Sequence, residues 1–130
     1  MKKALFLSLC ALLLTGCNEE KTAFETAVLE NMQKDTDLKD YKIDPEYMAS
    51  CVIDMTAGNM PGLTSFDPRR APYYDAYTKL INMNHSQTPE ATLTETAKVF
   101  GSQKEAMKAY LGYSQSVMSC ISTIVSEGAA

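Results

Sequence analysis

Apolar residues recur along most of this chain at spacings of three and four, the period of an amphipathic helix. Phe24, Val28 and Met32 form the first such stripe, with Ala27 beside it. Thr22-Ala23-Phe24-Glu25 has the form of a capping box and predicts the helix start there. The polar, acidic residues 35–40 are expected to end it. Asp44-Pro45-Glu46 predicts a second start: Asp caps, Pro suits the first turn, and Glu favours the positive end of the dipole. Tyr47, Met48, Cys51, Val52 and Met55 follow in helical register, which turns Cys51 inward. Gly58 and Pro61-Gly62 stop this helix, and residues 59–66 read as a loop.

A third helix is expected from about Pro72, preceded by Asp67-Pro68 and a turn, with Tyr73, Tyr77, Leu80 and Ile81 as its apolar face. Thr88-Pro89-Glu90 opens a fourth, carrying Leu93, Ala97 and Phe100, and Gly101 breaks it. Ser102-Gln103-Lys104-Glu105 is a second capping box before the longest helix. There Met107, Tyr110, Leu111, Ser114, Met118, Ile121 and Val125 are expected to face the core, widened by Cys120 and Ile124. Two-residue alternation never persists, and no Asn-Gly or Asp-Gly turn occurs. The fold class expected is all-α: a single domain over residues 22–130, built as a small bundle of four or five helices.

The N-terminal pattern is different. Met1-Lys2-Lys3 precedes an apolar run of about eleven residues, Ala4 to Leu14, too short to span a bilayer core of about 30 Å. A basic start, a short apolar core and a small-residue site make a secretory signal. Leu14-Thr15-Gly16-Cys17 resembles the lipobox of bacterial lipoproteins. The resemblance implies cleavage of residues 1–16, a diacylated Cys17, and a short polar tether over residues 17–21 that keeps the domain close to the membrane. In Gram-negative lipoproteins an Asp after the lipidated Cys marks inner-membrane retention. Asn18 stands there in this chain, so the resemblance implies the outer membrane, facing the periplasm. Two or three acyl chains hold firmly, since each buried CH₂ contributes about 0.8 kcal/mol.

Charge narrows the partners. The chain carries 12 basic and 16 acidic residues. Loss of Lys2 and Lys3 with the signal makes the remainder more acidic still. Nucleic acid is therefore not an expected partner, because phosphate contacts need a basic surface. The cysteine arithmetic is simple. Of four cysteines, Cys10 leaves with the signal and Cys17 is acylated, so Cys51 and Cys120 remain. In an oxidising compartment they are expected to pair and staple the second helix to the fifth. Two buried free thiols are the alternative.

Groups with catalytic or ligating chemistry are sparse. His85, the single histidine, sits in Asn84-His85-Ser86 and reads as a solvated loop residue. Asp35, Asp37 and Asp40 lack the glycine and closing glutamate of a calcium loop. No metal site, no cofactor and no enzymatic activity are expected. Tyrosine is the unusual residue: seven occur, with no tryptophan. Arg69, Arg70, Tyr73 and Tyr74 cluster in a chain short of basic groups, and both residue types are enriched in binding hot spots. They form the candidate contact surface. Their alternative role is core and amphipathic cover. The function expected is that of an accessory or structural lipoprotein acting by protein or envelope contacts. A periplasmic chaperone or inhibitor module is the alternative, followed by an enzyme.

Overall fold

The computed structural model describes residues 16–128, with side chains from residue 19. Residues 1–15 of the expected signal, Leu14 and Thr15 of the lipobox-like segment among them, lie outside the described residues, as does the side chain of Cys17. Six α-helices and two 3₁₀ turns make up the described chain, with no strand among them. They are α1 (Gly16–Lys34), α2 (Thr36–Asp40), α3 (Pro45–Ala57), α4 (Ala71–Asn82), α5 (Pro89–Phe100) and α6 (Gln103–Gly128). The 3₁₀ turns, Pro68–Arg70 and Met83–His85, flank α4.

α1 is the central strut, packing on both α3 and α4. Phe24, Val28 and Met32 are fully buried along it. Phe24 packs at a tilt against Tyr74 and Tyr77 of α4, at ring-centroid distances of 5.4 and 6.2 Å. Met48, Ala49 and Val52 of α3 and Leu80 and Ile81 of α4 complete the core. α5 and α6 form a hairpin around Gly101, whose φ of 100° is the left-handed conformation that glycine adopts at no steric cost. Phe100 meets Tyr73 and Tyr77 edge to face.

The start signals act largely as the sequence implies. Asp44 accepts from the backbone N–H of Glu46 and Tyr47 at 2.7 and 3.2 Å. Ser102 accepts from Glu105 N–H at 3.1 Å. Asp35 does not merely end the first helix: it caps the short α2, whose Leu38 enters the core. The first start is earlier than Thr22. No breaker separates Gly16 from Thr22, Glu19 lies in the first turn, and Lys21 pairs with Glu25 one turn on at 3.1 Å. Residues 17–21, expected as a short polar tether, are helical.

Cys51 and Cys120 are joined, with Cα atoms 6.0 Å apart. The bond fixes the rotation of α6. At about 100° per residue, Tyr113, Ala106 and Ser116 lie within about 40° of Cys120, and these are the buried positions. Leu111, Met118 and Val125 lie nearly opposite Cys120, and all three are exposed. Of the expected core stripe of α6, Leu111, Met118 and Val125 thus face outward, while Cys120, Ile121 and Ile124 pack on the core. A similar shift occurs on α3, where Tyr47 and Met55 are exposed while Ala49 and Thr56 are buried.

The bond closes a long loop, with a sequence separation of 69. Chain-entropy reasoning makes that worth about 4 kcal/mol, a large share of a small domain's stability. Replacing both cysteines by alanine is expected to lower the unfolding free energy by about that amount. Denaturant midpoints of oxidised wild type and variant decide it, and equal midpoints refute it.

Candidate functional site

The Arg–Tyr cluster folds differently from the expected contact patch. Arg70 is 8 % exposed and Tyr74 is 3 % exposed. Both turn back under the loop that precedes them. Arg70 donates through Nε to the carbonyl of Pro61 at 2.9 Å and through a terminal nitrogen to that of Gly62 at 3.0 Å. Tyr74 donates its hydroxyl to the carbonyl of Ser65 at 3.2 Å, while its ring rests on Phe24. The reason is physical. A loop without regular structure leaves carbonyls unsatisfied, and a guanidinium on the adjoining turn supplies two donors at once.

Arg69 and Tyr73 go elsewhere. Arg69 is exposed, but its guanidinium is locked bidentate on Asp67 at 3.0 and 2.7 Å. Asp67 also accepts from Arg69 N–H, capping the 3₁₀ turn. Tyr73 is half-buried and faces α5. Tyr73 and Tyr74 are neighbours on a helix, so they point about 100° apart. The four residues therefore share no exposed face, and the contact role expected of Arg70 and Tyr74 is corrected to that of loop supports. Gly62 belongs to the same device. Its φ is +88°, and a Cβ there would collide with the Asp67 carboxyl.

The supports hold out Leu63, 98 % exposed, and Phe66, 74 % exposed. Lys21 places its ammonium 5.4 Å from the centroid of the Phe66 ring. The loop thus sits at the N-terminal end of α1.

A second apolar surface runs along α6. Leu111 is 57 % exposed and Met118 is 72 % exposed, with Val125 one heptad further on. Half-buried Met107, Ser114 and Ile121 alternate with them at spacings of three and four. The result is a seam of the kind that packs against another helix. Exposed Tyr41 and Tyr47 stand near its C-terminal end, lining a groove with Val125.

A cleft of about 630 Å³ opens on another side of α6. Its walls include Tyr73, Tyr77 and Phe100, and its floor includes Gly112 and Ser116. Lys108 and Glu105 at its edge are already paired with each other at 2.7 Å. His85 is exposed on its 3₁₀ turn. Among the described residues no three His, Cys, Asp or Glu side chains gather as a metal-holding group. No helix among them is long and apolar enough to cross a membrane.

No protein family, curated protein or solved structure matches this chain. Its reading rests on the residues themselves.

Removing the Arg70 guanidinium leaves two carbonyls without their charged donor. Arg70→Ala is expected to cost about 2 kcal/mol, against about 1 kcal/mol for Tyr74→Phe, which loses one neutral hydrogen bond. Urea titration of both variants separates the two. The Arg69 side chain, aided by its backbone N–H, pulls the Asp67 carboxyl down from 3.8 to about 2. A carboxylate whose folded pKa is depressed stabilises the fold above its unfolded pKa. That contribution is lost as pH falls from about 4 to about 2. Asp67→Asn is expected to flatten this part of the melting-temperature profile. An unchanged profile would show that the clamp does not report on stability.

Proposed function

We propose that this chain is a lipid-anchored protein of the bacterial cell envelope, acylated at Cys17, that works by non-catalytic contact with a partner envelope protein. The anchor rests on the lipobox-like Leu14-Thr15-Gly16-Cys17 after a basic start and a short apolar run. Pairing of Cys51 with Cys120 supports it, because Cys17 is then the one cysteine outside the signal's apolar run that is free to be acylated. Asn18 favours the outer membrane, facing the periplasm, in a Gram-negative cell.

The observation that carries the contact role is the outward seam of α6. A helix of 26 residues is about 39 Å long, and this one shows Leu111, Met118 and Val125 to solvent at heptad spacing. Exposed apolar rows of this kind mark interaction surfaces. Methionine suits the role because its flexible thioether adapts to a partner. The occupant that fits a heptad seam is an amphipathic helix of that partner.

Two measurements test the two halves. Mass spectrometry of the membrane fraction is expected to find an acylated Cys17 at the N-terminus, and Cys17→Ser is expected to release the protein from membranes. A soluble, unmodified wild-type chain refutes the anchor. A photo-crosslinking residue at position 118 is expected to give one discrete adduct in intact envelopes, and the same residue at position 98 none. Leu111→Asp and Met118→Asp are each expected to weaken that capture by more than about 1 kcal/mol. Melting temperature is expected to stay nearly constant. Many faint adducts from 118, unaffected by either substitution, favour a chaperone with many clients instead.

A further inference from the structure

We propose that the loop over residues 61–67 is a membrane wedge, seating Leu63 and Phe66 in the headgroup boundary of the bilayer that holds Cys17. The inference rests on the lipid-anchor reading. It adds a second, non-covalent point of attachment and with it an orientation.

Position supports it first. Phe66 lies against Lys21, and Lys21 is one helical turn from Cys17. α1 is continuous through both, so no tether separates the bundle from the acylation site. One turn of helix rises about 5.4 Å. The polar layer on each side of the hydrocarbon core is about 5–7 Å thick. A Cys17 whose acyl chains enter that core therefore brings Phe66 to the depth of the headgroups.

Chemistry supports it next. Leu63 is the most exposed of the large apolar side chains among the described residues, and Phe66 is close behind. Leu and Phe are side chains that interfacial segments bury at the acyl boundary. Lys21, paired with Glu25, holds its ammonium over the Phe66 ring and so fixes the loop against α1.

Preorganisation completes the case. Arg70, Tyr74 and the Asp67–Arg69 pair tie the loop backbone at Pro61, Gly62, Ser65 and the turn itself. Buried groups are thus spent on holding two apolar side chains outward.

The chain has no tryptophan, so Phe66→Trp introduces a single reporter at an exposed position. Tyr41→Trp, near the opposite end of α1, is the control. The full chain is purified from membranes and reconstituted into phosphatidylethanolamine–phosphatidylglycerol vesicles. Lipids spin-labelled at the headgroup are expected to quench the indole at position 66 at least about threefold more than the indole at position 41, with blue-shifted emission at 66 alone. Equal quenching in a chain that floats with the vesicles overturns the wedge and leaves the anchor standing. A chain without acyl groups refutes the anchor. Vesicles added to that chain then decide the wedge separately: selective quenching at 66 upholds it, and unchanged emission overturns it. Blue emission at 66 without any lipid also overturns it, assigning the site to residues of the chain itself.

Discussion

The Cys51–Cys120 bond is the constraint on which the surface of this protein depends. α6 carries apolar residues on two opposite sides, and hydrophobicity alone does not choose between them. The side with Leu111, Met118 and Val125 stays in water, while the side with Tyr113, Val117, Cys120 and Ile124 packs on the core. The covalent bond to α3 holds that rotation in place. Ala106, Ser116 and Cys120 then pack with Tyr113, whose hydroxyl donates to Asn31 of α1 at 2.9 Å. Burial pushes the Tyr113 phenol well above its ordinary pKa, consistent with a neutral group that holds one hydrogen bond. Small residues on the inward side let α6 lie close to its neighbours. On its other side an apolar row is left in water.

A second constraint acts at the other end of the bundle. Buried arginine is expensive unless its donors are used, and Arg70 uses Nε and a terminal nitrogen on backbone carbonyls. That arrangement fixes a loop which otherwise lacks regular structure. Gly62 is required by the same geometry, because both its φ and the nearness of Asp67 exclude a side chain. An arginine-rich, tyrosine-rich stretch thus serves as scaffold, while the residues it displays are a leucine and a phenylalanine.

Much of the fold was legible because its signals are local. A capping aspartate marks α3, prolines in the first turn and helical spacing mark α3, α4 and α5, and the single available cysteine pairing implied the staple. Two things were not legible by periodicity. One is the rotation of a helix that is apolar on two sides; its sign was nonetheless implicit, since Cys120 lies nearly opposite Leu111 and Met118 at about 100° per residue. The other is the direction of the Arg70 and Tyr74 side chains. Composition cannot distinguish an arginine that meets a partner from one that satisfies its own loop, because both roles draw on the same donors. Met60 and Met83 illustrate the same limit: both fall outside the α-helices, yet both are buried.

The direction of the helices bears on how the two exposed apolar features relate. α1 runs from the Leu63–Phe66 loop toward α2, so Tyr41 and Tyr47 stand near its other end. α3 returns antiparallel to α1: it starts beyond α2 at the far end of α1 and leads back to the loop whose Phe66 meets Lys21. α6 is antiparallel to α3 in turn, pairing Cys120 with Cys51 and Ile124 with the start of α3. The C-terminal part of the α6 seam therefore points away from the end that carries Cys17. On the proposed anchor, a bundle held at that end by acyl chains would carry this part of the α6 row away from the bilayer. Helix continuous through residues 17–21 would tie that orientation to the fold, whereas a flexible tether would let the row face in any direction.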